Sequence, residues 1–317
     1  MMRNYADEDN LHARIYAMRG RLLTLRDYDA MIRDEQRAEL KPSGDSDWVE
    51  VRENLFREQI VPVIAIAAAF DKYEPLFLAY LRQFETRNAK MLLARAWGKK
   101  SLEMWYDTGP FATLDKELLK KNMSPDEIKA LIAGTFLPDD LKDDRDYLRM
   151  EINLDVSAAM NLYHSSTLLS SGSKKEFQEM ALWRIAVMTV IWSYRLKEYY
   201  HLSREQIHFY LEKLQNLFDG QAPSHVSLVE EELNRNLEQI RRGGGKEPGV
   251  VDIESRLEQG YYDRVSYMFH RDFHSMYCVV SYLWLLFYQI KNLFCIIDGR
   301  RFGMQAEAIL NKMICQR

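Results

Sequence analysis

The chain has 317 residues, 47% of them hydrophobic and 28% charged, with a formal net charge of −4. That is the composition of a soluble globular protein with room for one large core or several modest ones. It excludes a global electrostatic footprint for nucleic acid and leaves only local basic patches open. The three cysteines, Cys278, Cys295 and Cys315, all fall late in the chain. They suit reduced, partly buried thiols of a cytosolic protein better than a disulfide framework.

The opening MMRNYADEDN lacks the basic-then-apolar order of a secretion signal, so none is expected. Glycine and proline are scarce, and no alternation of apolar and polar residues persists, so helix is expected throughout. In Ala13 to Ile32, Ile15, Met18, Leu22 and Leu23 give one helix a single apolar face. Thr24 with Asp27 three residues on makes a capping-box start for a second. Leu55 to Phe84 reads as a helical hairpin broken near Tyr73-Glu74-Pro75, and helix then continues from Leu76 to Arg95, into Gly98. Ser124-Pro125-Asp126-Glu127 combines a Ser cap, proline at the first helical position and acids in the first turn. A long helix is expected from about Tyr147 to Leu169, a second from Lys174 to Tyr200, and a short one opened by Ser203 with Gln206.

The stretch 219–249, with Pro223, Gly243-Gly244-Gly245 and Pro248-Gly249, reads as a linker enclosing a polar helix from Leu228 to Arg241. Beyond it the chain is again densely helical. The run Tyr277 to Ile297 is long enough for a transmembrane span, but Gln289, Lys291 and Asn292 interrupt it and favour a buried core helix. The expected organisation is a first lobe at 1–105, a second at 106–218, the linker at 219–249 and a third lobe at 250–317.

One phrase recurs in each lobe: FLAYLRQFETRNAKMLLARAWGKK, MALWRIAVMTVIWSYRLKEYYHLSREQIHFYL and SYLWLLFYQIKNLFCIIDGRRFGMQAEAIL. Each is an apolar helix with one polar residue in mid-face: Asn88, Thr189 and Asn292. Each then meets a basic cluster: Arg95 with Lys99 and Lys100, Arg195 with Lys197, and Arg300 with Arg301. A buried Asn in a helix must find a hydrogen bond on a neighbouring helix or loop, and so sets the register of packed helices. In the third copy Gly299 is expected to end the helix, with Gly299 to Gly303 making the turn into a further short helix.

These phrases resemble the C subunit of archaeal and bacterial V/A-type ATPases, the counterpart of subunit d of eukaryotic V-ATPases. The resemblance rests on ARIYAMRGRLLTLRDYDAMI, YLRQFETRNAKMLLARAWGKK and IKNLFCIIDGRRFGMQAEAIL, spaced from residue 13 to residue 310. Departures stand at Arg184 and Thr189, where the middle copy usually has an acid and an Asn, and at Gln289, near where the last usually has an acid. The resemblance implies an all-α fold of three similar lobes with pseudo-threefold symmetry, forming a funnel. It implies a non-catalytic rotor subunit, without cofactor or metal, on the cytoplasmic face of the membrane. Its partners would be the central-stalk subunits D and F and the proteolipid rotor ring, and it would touch the membrane only through that ring.

Arg14, Arg19, Arg21, Arg26, Lys99, Lys100, Arg300 and Arg301 are candidate partner contacts, with solvated faces and partners of helix C-termini as the alternative. A rival function, an all-helical magnesium-dependent prenyl-diphosphate-type enzyme, would use the acids from Asp139 to Asp144, but acids after Pro138 also suit a helix start. His270 and His274 have metal-ligand spacing, yet Arg271 stands where a zincin motif needs Glu. Arg242-Gly243-Gly244-Gly245-Lys246 fails the spacing of a phosphate-binding loop.

Overall fold

The computed structural model describes residues 8–34, 40–42, 47–99, 104–136, 145–169, 171–216, 223–242, 248–271 and 275–316. Among them the fold is all-α, with no β-strand. In chain order the helices are α1 (Glu8–Arg19), α2 (Leu25–Arg33), α3 (Trp48–Ala67), α4 (Glu74–Ala96), α5 (Pro125–Ile132), α6 (Tyr147–Ser165), α7 (Ser171–Glu198), α8 (Arg204–Asn216), α9 (Pro223–Arg242), α10 (Val250–Arg271), α11 (Met276–Arg301) and α12 (Ala306–Leu310).

Local chemistry sets most of the helix starts. Reciprocal capping boxes open α2 (Thr24 with Asp27) and α5 (Ser124 with Glu127), and Ser203 with Gln206 opens α8 in the same way. Several helices begin earlier than the sequence reading placed them, α3 and α9 among them. α3 starts at Trp48 because Asp47 accepts from the Glu50 amide at 2.8 Å, and α9 starts at Pro223. α9 is also less polar in use than in composition, since Val229 and Leu233 are buried in the main core against α7.

Three helical hairpins organise the molecule: α3–α4, α6–α7 and α10–α11. Their second members run parallel. Between α4 and α11, Phe84 meets Phe287 with ring centroids 5.8 Å apart, Arg87 lies over Phe287 at 5.3 Å, and Arg87 is also within electrostatic reach of Lys291. Between α7 and α11, Glu176 accepts from the Met276 amide at 3.1 Å, Glu179 accepts from the Tyr277 hydroxyl at 2.7 Å, and Arg184 lies over Trp284 at 5.0 Å. Residue numbers rise together along both interfaces, which only parallel helices allow.

α11 sits where these hairpins meet. It is the helix among the described residues long and apolar enough to cross a membrane, but 89% of its most apolar window is buried inside the protein. Each large side chain so buried contributes about 1.5–3 kcal/mol of transfer free energy. The main core is continuous from α1 through α4 to α7 and α9–α12. Smaller clusters join α4 to α5 and α6, and α6 to α7 and α8.

The mid-helix polar residues have a more specific use than fixing helix register. Asn88 donates from Nδ2 to the Tyr106 carbonyl at 2.9 Å and accepts the Tyr106 amide on Oδ1 at 2.9 Å. Asn292 does the same to Ile314, at 2.8 and 2.9 Å. Each side-chain amide therefore satisfies both backbone groups of one non-helical residue in the chain returning past its helix. Thr189 bonds instead to the Ile185 carbonyl of its own helix at 2.9 Å. The segment that returns past α7 is itself a helix, α8, whose backbone groups pair internally, so no clamp is needed there.

The helix ends are related too. At Gly98 (φ +63°) and Gly303 (φ +61°) the chain turns left-handed. Lys99 donates back to the Ala94 carbonyl at 2.8 Å and Met304 to the Gly299 carbonyl at 2.8 Å, two Schellman closures. After α7 the left-handed residue is His201 (φ +53°). Gly299 is thus not the helix end expected from the sequence: α11 runs through it to Arg301. Glycine is required there for closeness, because a Cβ would lie 2.5 Å from the Cγ1 and Cδ1 atoms of Ile309 on α12.

Candidate functional site

The basic residues singled out by sequence do not converge. Arg14 lies over Phe70 at 5.4 Å and Arg19 over Phe269 at 5.6 Å. Arg19 and Arg26 border an open groove of about 800 Å³ between α2, α10 and the residues after α12, while Arg21 is exposed between α1 and α2. Lys99 sits over Tyr147 at 4.5 Å, at the far end of α4. Arg300 is engaged within the chain, donating to the Met31 carbonyl at 2.7 Å and the Asp34 carbonyl at 2.5 Å, so it ties α11 to the end of α2. Arg301 beside it is exposed. Lys100, the Asp139–Asp144 run, Gly243 to Lys246 and His274 lie outside the described residues.

A different set of cations does converge. A concave cavity of about 350 Å³ opens along the C-terminal half of α11, between it, α3 and α4. Four cations, Arg52, Arg87, Lys291 and Lys312, and one carboxylate, Asp298, line it beside the rings of Phe84, Phe287, Phe294 and Phe302. Arg52 bridges to Asp298 at 3.1 Å and lies over Phe294 at 4.6 Å, which accounts for that carboxylate. Arg87 donates to the Tyr106 hydroxyl at 3.1 Å and faces two rings.

Lys291 reports the shape of the site. Its side chain is 44% exposed, yet desolvation lowers its pKa, opposed by Glu258 and reinforced by Arg184 and Arg87. Both hold for a group that reaches water from inside a concave wall.

Behind this wall the charge is buried and paired. Arg184 of α7 makes two hydrogen bonds to Glu258 of α10, at 2.8 and 3.3 Å. Tyr288 donates to the same carboxylate at 2.5 Å. Burial alone would raise the Glu258 pKa, but Arg184, Lys291 and these hydrogen bonds override it and hold the carboxyl far below its ordinary range. Burial pushes the Tyr288 hydroxyl well above its usual value, with the adjacent carboxylate adding to the shift. One turn or more along, Arg195 pairs with Glu254 at 2.6 Å, Lys90 with Asp155 at 2.7 Å, and Trp192 donates to Asp155 at 3.1 Å. These pairs lock α4, α6, α7 and α10 around α11.

Sequence reasoning passed over Arg87 and Lys291, although a signal was present: each immediately precedes a clamp asparagine, Asn88 and Asn292. It also passed over what the departures do. Arg184 supplies the cation of the buried pair. Gln289 accepts from the Leu23 amide at 2.7 Å and donates to Gln59 at 2.6 Å, a double role that a carboxylate could not fill.

The arrangement joins helices and presents a basic hollow; among the described residues no group of His, Cys, Asp and Glu is placed to hold a metal. A search of curated proteins finds no match to the chain. A sequence profile of the ATP synthase (C/AC39) subunit family matches residues 61–312, taking in the C-terminal turns of α3, the three parallel helices and, of the residues lining the cavity, all but Arg52. With more than half of its length matched, the chain belongs to the ATP synthase (C/AC39) subunit family, and is a structural, non-catalytic subunit of a V-type ATPase or ATP synthase.

Proposed function

We propose that this subunit couples the central stalk of a V/A-type ATPase to its membrane rotor ring, on the cytoplasmic face. In this reading the stalk subunits D and F enter a funnel formed by three related lobes, 1–105, 106–218 and 250–317, with 219–249 linking the last two. The observation that carries it is the recurrence of one device: a hairpin whose second helix runs parallel to its counterparts and closes on a left-handed residue, at Gly98, His201 and Gly303. Torque transfer needs a body that does not shear, and buried pairs such as Arg184–Glu258 resist shear because separating them strands a charge.

The exposed cations Arg14, Arg21, Arg26, Lys99 and Arg301 are then candidates for orienting contacts at the lobe edges, which act more on association rate than on affinity. The test is co-purification of the full chain with D and F, and separately with ring-containing membranes. Capture of both supports the coupling role; a folded chain that captures neither defeats it.

A further inference from the structure

We infer that the cavity beside α11 receives an acidic tip that also carries apolar side chains, belonging to the stalk partner. This rests on the coupling role and adds the chemistry of the contact. The chain as a whole is negative, with net charge −4, yet cations dominate this wall. Asp298 is already bridged by Arg52. Two carboxylates act on Lys291, Glu258 at 3.7 Å and Glu254, and both are already engaged, the first by Arg184 in two hydrogen bonds and the second by Arg195. Arg87 meets a hydroxyl and two rings, and the carboxylate within its electrostatic reach, Asp155, is bridged by Lys90.

Positive charge held in a hollow with low-dielectric walls raises the local concentration of an anionic group and aligns it. The phenylalanine rings select among anions. A bare phosphate or polyphosphate would leave the exposed ring of Phe302 uncovered, whereas carboxylates flanked by aliphatic side chains would use both kinds of wall. A volume of about 350 Å³ takes a tip of a few side chains and not the shaft of a helix. The two inner cations come from α4 and α11, one residue before each clamp asparagine. Their positions are therefore fixed by the same hydrogen bonds that hold the return segments.

The experiment measures binding of the purified D–F pair to the full chain at low and high salt, for the native protein and for Lys312→Glu, Lys291→Gln and Arg87→Gln. Lys120→Glu, in an exposed surface pair, serves as control. Circular dichroism and thermal melting confirm that each variant is folded. The expected result is binding that weakens with salt, about tenfold weaker for Lys312→Glu, several-fold weaker for each neutral variant, and unchanged for Lys120→Glu. Equal binding by native and cavity variants overturns the acidic-tip assignment while leaving the coupling role intact. Absence of binding by the native chain defeats the coupling role itself, and the assignment with it. Inorganic tripolyphosphate is the second probe: variant-sensitive binding of it, with D–F binding unchanged, makes the cavity a small-anion site and overturns the proposal.

Discussion

The two outer hairpins and the middle one solve the same problem with different chemistry. Past α4 and α11 the chain returns through non-helical backbone, and a single buried asparagine pairs both polar groups of one residue, Tyr106 or Ile314. Past α7 it returns as α8, which satisfies its own backbone, and the corresponding Thr189 turns back on its own helix. Besides its apolar packing, α7 is joined to α10 by charge: Arg184 to Glu258 and Arg195 to Glu254. At these matched positions an asparagine stands where both backbone groups of a returning residue need partners, and a threonine where they do not. The middle hairpin is free of that need and adds buried ion pairs to its apolar packing.

Breaking the ionic side of this contrast should have the largest effect. Glu258→Ala leaves the Arg184 guanidinium buried without its carboxylate and should cost about 3–5 kcal/mol in urea unfolding. The same pair gives a pH signature. Glu258 has a folded pKa depressed below its unfolded value of about 4.3, so its contribution is present above that pH and is lost as the pH falls toward the folded value. Stability followed by denaturant titration should decline below about pH 4, and less steeply in Glu258→Gln.

Next come the clamps. Asn292→Ala or Asn88→Ala leaves a buried amide and a buried carbonyl unpaired and should cost about 2–4 kcal/mol, with faster hydrogen exchange at Ile314 or Tyr106 respectively. A smaller cost, about 1–3 kcal/mol, is expected for Gly299→Ala from overlap with Ile309. The matched position in the first hairpin is already Ala94, four residues before Gly98. Pairing Gly299→Ala with Ile309→Val should recover part of the loss, and strict additivity in the double mutant would refute the overlap. The smallest effect, under about 1 kcal/mol, belongs to Thr189→Val, because the Ile185 carbonyl keeps its helical partner. A cost for Thr189→Val as large as that for Asn292→Ala would erase the contrast between the hairpins.

Much of this was legible in residues whose preferences act locally. Thr24 with Asp27, Ser124 with Glu127 and Ser203 with Gln206 start helices by bonding within four residues, so their meaning does not depend on what packs nearby. The recurrence of Asn88 and Asn292 was also visible, but their partners lie 18 and 22 residues further on, in non-helical backbone that carries no pattern. Gly299 was misread because a glycine near a run of basic residues looks like a helix end. Its actual reason, the approach of Ile309, is a distance between two elements that periodicity cannot express. The basic pairs drew attention as clusters along the chain, whereas Arg52, Arg87, Lys291 and Lys312 cluster only in space.

The sequence by itself determined an all-α chain, the places where most helices begin, a phrase used three times and the family that phrase resembles, because periodicity, caps and spacing are properties of neighbouring residues. Tertiary structure decided which polar groups are clamped, which cations are used internally, as Arg300 is, and which remain to face a hollow. Those outcomes depend on the distance between helices far apart in the chain, where burial makes a missing partner costly and a satisfied one a fixed joint.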